Sequence, residues 1–550
     1  MKRIRSTALI SACLLGPLLA NACGHRNSGG EAREATVVIA ATGEPATLVP
    51  PLIYESVGRD ISNLIYERLA ELAPGASPLD TAAYRPKLAA RWERLDTLTW
   101  RFHLRPGARW HDGRVVTAED IRFSFEAFGD SVLDSPARAY LAGRLQVEID
   151  DSMTVRVRFA EFSPEQLYDA TYHVRIMPKH VWVQIPRDRW AADTSLDRLI
   201  GTGPYRLTEW KRGQYAILRT HLASIRGAGI DRVVWRFTAD PDAAINLVLS
   251  GEADLLESVG GPTQAERFAG HGEVKLHSYP AAMYGFLAFR LADSTGRPHR
   301  ILGSRAVRRA LASALDRHLV AKALFGPQAS APLGPMSQLL WIRNDSIHVL
   351  PHDSAFAARA LSAAGWERAS DGGPRRRNGR TLKFDILVPS SSSVRRNAAL
   401  MVQEAWRRLG VDVSVTSVDF PVFQERIRRG EFDAYIGAYL DEPSPRGLAD
   451  QWTRQGWGVL NFGRYANPVF DSVFHKAGHT RDLASARRLY REAMDTLNAD
   501  TPAVFLYAPD NVAAVAKRLR GVEIDPYSWL SRLPEWWVEH GGLVRAASAQ

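Results

Sequence analysis

The sequence predicts an α/β protein built around more than one core, and three observations carry that prediction. Strand-like and helix-like patterns alternate along much of the chain, as lobes with helices packed on a sheet require. The 550 residues exceed what a single hydrophobic core organises, so two or three domains are expected. Between about 70 and 195 alternating runs dominate, which marks a strand-rich unit with one or two helices. The apolar fraction of 45% and the charged fraction of 24% are those of a globular chain, not a disordered or multi-spanning one.

Thr36 to Ala41, "TVVIAA", reads as a short apolar strand, followed by a turn at Gly43-Glu44-Pro45. Ser56 to Leu72 has helical spacing, with Ile61, Leu64, Ile65 and Leu69 on one face. In "TLTWRFHLR" (97–105) Leu98, Trp100, Phe102 and Leu104 alternate with polar residues, as in a half-buried strand, and "MTVRVRF" (153–159) repeats the pattern. Within "WHDGRVVTAEDIRFSFE" (110–126), Asp112-Gly113 supplies a tight turn, and Thr117 with Glu119 and Asp120 begins a helix at its positive end. "GTGPYRLTEWKRGQYAILRT" (201–220) reads as a rigid turn and a hairpin. Strand–helix–strand units follow at 230–258 and 382–419, with a helix between them from Ser304 to a stop at Gly326. "DGGPRRRNGR" (371–380) reads as an exposed turn, and the last clear helix, "SARRLYREAMDTLNAD", precedes the strand "PAVFLYA".

The first residues, "MKRIRSTALISACLLGPLLANACG", have a cationic start, an apolar run too short to span a bilayer, and small residues before Cys23. That is the layout of a secretory leader. "LANAC" resembles a bacterial lipobox, in which cleavage leaves Cys23 as the first residue carrying a lipid; ordinary cleavage with a free N-terminus is the alternative. Cys13 lies in the leader, so the mature chain has one cysteine and can form no internal disulfide or Cys–His pair. The polar residues after Cys23 suit a flexible tether. The formal charge of +10 falls to about +7 without Lys2, Arg3 and Arg5, a thin excess over the remaining chain.

Catalytic motifs are sparse. There is no Gly-x-Ser-x-Gly elbow, no His-Glu-x-x-His helix and no Gly-x-x-x-x-Gly-Lys loop. Basic residues do not interleave with aromatics in a nucleic-acid pattern. His111 has no ligand companion at metal spacing, so 110–126 is expected to be scaffold.

The stretch "LAARWERLDTLTWRFHLRPGARWHDGRVVTAEDIRFSFE" (88–126) closely resembles the signature region of bacterial family 5 extracellular solute-binding proteins, the oligopeptide-, dipeptide- and nickel-binding receptors of ABC importers. "GEPATLVP" (43–50), "GTGPYRLTEWKRGQY", "SGEADLL", "SRAVRRALASALDR" and "NFGRYANPVFDSVFHKA" resemble further family landmarks in the family's order, and the resemblance covers nearly the whole mature chain. It implies a two-lobed, periplasmic-binding-protein-like (Venus-flytrap) α/β fold with an extra β-rich subdomain in the first lobe. The implied organisation is a signal peptide over 1–22, a tether over 23–35, lobe I over 36–275 with the subdomain at about 70–195, lobe II over 276–507, and a return to lobe I over 508–550. The implied role is capture of a peptide or other small polar solute between the lobes and delivery to an ABC permease, by a monomer without cofactor, metal or nucleic acid. A sensor or chaperone outside the cytoplasmic membrane, or an exported hydrolase, are the alternatives.

In the family's peptide receptors an aspartate ahead of an acidic-Pro turn holds the peptide's ammonium. Here the matching segment is "GAYLDEPSPRG" (437–447), with Tyr439 at the aspartate's place and Asp441 two residues on. Tyr439 and Asp441 are therefore candidate ligand contacts. Arg446 is a candidate partner for a ligand carboxylate, or a surface arginine. Trp341, Trp452 and Trp457 are candidate cleft walls, with core packing as the alternative.

Overall fold

The structure, a computed structural model, describes residues 34–221, 229–368 and 372–539. The leader, Cys23, the tether up to residue 33, and the tail from 540 lie outside the described residues. Among the described residues no helix is long and apolar enough to cross a membrane.

Two α/β lobes share one strand. Ala503–Ala516 pairs through its first half with Met283–Phe289, which pairs on its other side with Ala434–Leu440. Lys383–Pro389 and Asp412–Val418 extend that sheet in parallel. Through its second half Ala503–Ala516 pairs with Val274–Pro280 and Leu255–Leu256. Beyond lie Thr36–Ala41, Arg232–Phe237 and the hairpin Tyr215–Thr220 with Tyr205–Lys211. The chain thus passes between lobes at about 281–282 and again at about 508–509, and the two passages touch where Ala281 N–H donates to Pro509 O at 3.0 Å. Separate apolar cores sit on either side, one including Trp110, Trp182, Trp235 and Trp536, another including Trp406, Phe384 and Leu311.

The β-rich unit is an antiparallel sheet in the order Ala89–Arg94, Thr99–Leu104, Thr154–Phe159, Leu145–Asp151. Trp100, Phe102 and Leu104 are buried, as their alternation predicts. The helix after Thr117 runs Ala118–Gly129, and Thr117 and Asp120 form a reciprocal capping box.

Three local expectations need correction. The helix expected from Ser56 to Leu72 is Ser56–Ile65, and Ala70–Leu72 is a strand. Its end is set by the "GTGP" segment: Gly203 N–H donates to Ile65 O at 2.8 Å, and Tyr66 turns extended. The helix expected as one piece from Ser304 is two, Arg305–Ser313 and Arg317–Phe325, because Asp316 caps a new start by accepting from Leu319 N–H at 3.0 Å. Leu319, at the start of the second helix, is exposed. In the expected arginine turn, Arg375 is buried and donates to Leu409 O and Trp366 O, both at 2.8 Å, closing the C-terminal end of the Ser393–Arg408 helix.

The "WHDG" and "GTGP" motifs lock together. His111 N–H donates to Gly201 O (2.9 Å), Gly201 N–H donates to His111 Nδ1 (3.1 Å), and His111 Nε2 donates to Gly203 O (3.0 Å). Burial pushes the imidazole pKa down to about 4, so His111 is neutral scaffold. A Cβ on Gly201 would lie 1.9 Å from Ile65 O, and one on Gly203 2.4 Å from Leu64 O. Both glycines serve close backbone approach. Gly203→Ala is expected to destabilise the protein by about 3 kcal/mol, at the upper end of overpacking costs. Denaturant unfolding checks this; an unchanged midpoint would rule the contact unimportant.

Candidate ligand-binding cleft

Between the lobes lies a cavity of about 560 Å³, within the range of small-ligand sites. Its lobe I wall comes from the polar face of the Ser56–Ile65 helix (Arg59, Asp60, Asn63), from Arg68, and from Tyr172 and Arg175 after the Gln166–Thr171 helix. Its lobe II wall is the segment from Leu440 to Ser444 and on to Gln451. Asp525, Tyr527 and Trp529 of the returning chain close one side. The sequence dictates much of the first wall: with Ile61, Leu64 and Ile65 buried, residues 59 and 63 fall on the opposite face, and Asp60, one turn before Leu64, lies on its flank.

Asp441 sits where the lobes join. Its N–H donates to Ala282 O (2.8 Å), in the first passage between lobes, and its Oδ2 accepts from Ser337 N–H (2.5 Å). It is only 8% exposed, and burial raises its pKa to about 6 against the pull of Ser337. Glu442, beside it, is exposed to the cavity. Tyr439 lies elsewhere. Its hydroxyl donates to Leu460 O (2.8 Å), its ring packs on Phe286 (4.9 Å) and Tyr284, and it is not on the cavity wall.

Arg446 also departs from its expected role, because protein carboxylates already occupy it. Its Nε lies 2.6 Å from Glu165 Oε2, and its two terminal nitrogens grip Asp169, one at 3.0 Å. Ser444 Oγ donates to the same Glu165 oxygen at 2.5 Å. Glu165 and Asp169 belong to lobe I and Ser444 and Arg446 to lobe II, so this cluster ties the lobes directly. Burial opposes every charge in it. In Asp169 burial is the largest influence, but the Arg446 guanidinium and His173 together overcome it and lower the pKa, whereas in Glu165 burial wins and raises it. The two directions describe one shared cation that compensates the bidentate partner better.

The tryptophans expected as cleft walls are not on the main cavity. Trp341 is buried in the lobe II core, edge-on to Tyr490 at 5.6 Å. Trp452 donates from Nε1 to Tyr284 Oη (3.1 Å) among Phe286 and Phe505. Trp457 donates to Tyr465 O (2.7 Å) under the guanidinium of Arg454. Trp529 is the cavity's indole, donating to Asp60 Oδ2 at 3.0 Å. Sequence reasoning missed Arg59, Asp60, Asn63, Arg175 and Trp529. The polar face of the first helix, and a lone arginine inside the apolar run "VRIM" (174–177), were the available signals.

A family model, bacterial extracellular solute-binding proteins, family 5 Middle, matches residues 83–458. The chain belongs to this family. It is a binding protein, not an enzyme. It is 22% identical to the oligopeptide-binding protein AppA of Bacillus subtilis over 537 residues, covering 96% of each chain. It is 23% identical to the peptide transport periplasmic protein SapA of Salmonella typhimurium over 563 residues, again covering 96% of each. The solved structure of AppA in complex with a nonapeptide superposes with a TM-score of 0.73 at 22% identity, covering 92% of this chain and 99% of that one. NikZ from Campylobacter jejuni in complex with Ni(L-His) gives 0.74 at 23%, with the same coverage. These likenesses establish the two-lobed fold.

Removing Arg446 leaves Glu165 and Asp169 buried and uncompensated, a loss of about 3–5 kcal/mol for as long as the lobes stay closed. Opening rehydrates both carboxylates. Arg446→Met is therefore expected to shift the unliganded protein toward an open form, seen as a larger radius of gyration in solution scattering. An unchanged radius with an unchanged melting temperature would show that the cluster does not hold the lobes.

Proposed function

We propose that the protein is a lipid-anchored, extracytoplasmic substrate-binding component of an ABC importer, which captures a peptide or related small polar solute and presents it to the permease. In this reading 36–275 and 508–550 form one lobe, 276–507 the other, and Cys23 carries the anchor of a monomer. The observation that carries it is the cavity itself: both lobes line it, and both place there charged groups with no ion-pair partner within 4.0 Å among the described residues, including Arg175 on one side and Asp441 and Glu442 on the other. Names given to relatives, an oligopeptide-binding protein and a peptide transport protein, support a peptide as the solute. Solute touching both walls favours closure, and a permease reading the closed form completes the cycle.

Native mass spectrometry of the exported full chain, released under mild conditions, tests this reading. Bound masses that fragment as a peptide series are expected; a sugar or metal chelate in their place would remove the peptide assignment and keep the receptor.

Asp441 is the proposed partner of the solute's ammonium. With its pKa at about 6, the carboxyl is largely protonated below that pH and takes up the charge an ammonium needs only above it. Affinity for an amine-bearing solute is expected to rise from pH 5 to pH 7, and Asp441→Asn to flatten the rise. The sign for stability is opposite. A carboxyl whose folded pKa is raised costs the empty protein stability as pH climbs from about 4 through 6, so Asp441→Asn should not lower the melting temperature at pH 7. Calorimetric titration and melting at both pH values check the pair.

A further inference from the structure

Arg175 is the most isolated buried charge in the cleft. It is 7% exposed, and its backbone is fixed between buried neighbours: Ile176 N–H donates to Glu67 O (3.0 Å) and Met177 N–H to Ser124 Oγ (2.8 Å). Its Nε donates to Asn63 Oδ1 (3.0 Å), while the Asn63 amide nitrogen donates to Ser528 Oγ (3.0 Å), so the amide is used at both ends and holds the guanidinium in place. Among the described residues its two terminal nitrogens have no hydrogen-bond acceptor, and no carboxylate lies within 4.0 Å of it. It lines the cavity.

Its surroundings sharpen the need for an anion. Burial, then the like charges of Arg68 and Arg59, drive its pKa far down. Arg68 is engaged with Tyr172, donating to its carbonyl at 2.7 Å with the guanidinium 5.4 Å from the ring. Two carboxyls on the same wall, Asp60 and Glu257, compensate poorly: burial raises both, and the charge of Glu257 raises Asp60 further. Three guanidiniums thus line the cavity on lobe I with the carboxyls of Asp60, Glu257 and Asp525, all raised by burial, and with Glu71, which is ion-paired to Lys87 at 2.7 Å. An arginine does not shed its proton in a protein, so the charge awaits a partner from outside.

We propose that Arg175 is the specificity-determining anchor for an anionic group of the solute, the free α-carboxylate of a short peptide, held as a two-point hydrogen-bonded pair by its terminal nitrogens while the amine end faces Asp441 and Glu442. The inference rests on the peptide reading above and adds the requirement for a free carboxyl end. The planar fork of the guanidinium fits a carboxylate and gives a neutral amide no equivalent partner.

The mature full-length chain, freed of co-purified solute, is offered two pools of random di- to pentapeptides, one of free acids and one of C-terminal amides, and captured species are quantified by native mass spectrometry. The wild type is expected to favour acids by on the order of 10- to 100-fold, the range of a charge-assisted bond to a buried group. Arg175→Gln should bring the ratio close to unity, and Arg175→Lys should leave an intermediate ratio. The empty Arg175→Gln protein should melt no lower than wild type, since an uncompensated charge has been removed. If that variant fails to fold, the wild-type ratio still decides. Equal capture of acids and amides by the wild type overturns the inference and leaves the peptide reading standing. A preference that persists in Arg175→Gln overturns the assignment to this residue. Capture of neither pool overturns both readings.

Discussion

A charge withdrawn from water between two lobes must be matched, and the cleft is organised by how far each charge meets that condition. The effective penalty is several kcal/mol per ion, more than most single packing contacts contribute. Arg446 meets it within the protein, through Glu165 and Asp169 of the opposite lobe. Arg175, buried more deeply, does not. Asp441 meets it in part, through one backbone N–H and a raised pKa. The same residue types therefore have opposite roles a short way apart. One arginine is consumed by the architecture and the other is left available.

The covalent layout makes these charges consequential. Among the described residues two passages join the lobes, and they are bonded to each other through Ala281 and Pro509. Asp441 is fastened to the adjoining Ala282, so its ionisation acts at the joint between the lobes. A force applied there has leverage that the same contact at a lobe surface lacks. The shared strand Ala503–Ala516 provides continuity, because both sheets bond to it and neither lobe can shift without bending that strand near Pro509.

Much of the framework was legible because its causes are local. Alternation located Thr99–Leu104 and Thr154–Phe159, and the Asp-Gly turn with the Thr117 cap located the helix after residue 117. The errors came from long-range causes. Nothing within 56–72 says that Gly203, far along the chain, will take the carbonyl of Ile65 and end the helix. Nothing near Arg375 says that the end of a later helix waits for its guanidinium. At the cleft the segment 437–447 was readable, but which of its side chains face the cavity depends on where the strand ends. Ala434–Leu440 finishes one residue before Asp441, which leaves Tyr439 in the core and Asp441 at the joint. The tryptophans misled for a related reason. A large aromatic fills a core as well as it lines a cleft, and sequence alone carries no sign of which.

The two arginines also bear on how closure is made conditional. The Arg446 cluster favours the closed form whether or not solute is present, and alone it would leave an empty receptor shut. The unmatched charge of Arg175 works the other way, since its buried guanidinium has no carboxylate within 4.0 Å among the described residues. A solute carboxylate removes that opposing contribution, so the balance shifts toward closure only when the right chemical group has arrived. A ligand shifts such an equilibrium only by its differential affinity for the two forms, and an uncompensated buried cation is a direct source of it. In this arrangement recognition and closure depend on the same guanidinium, and a solute that filled the cavity without an anion would bind without closing it as fully.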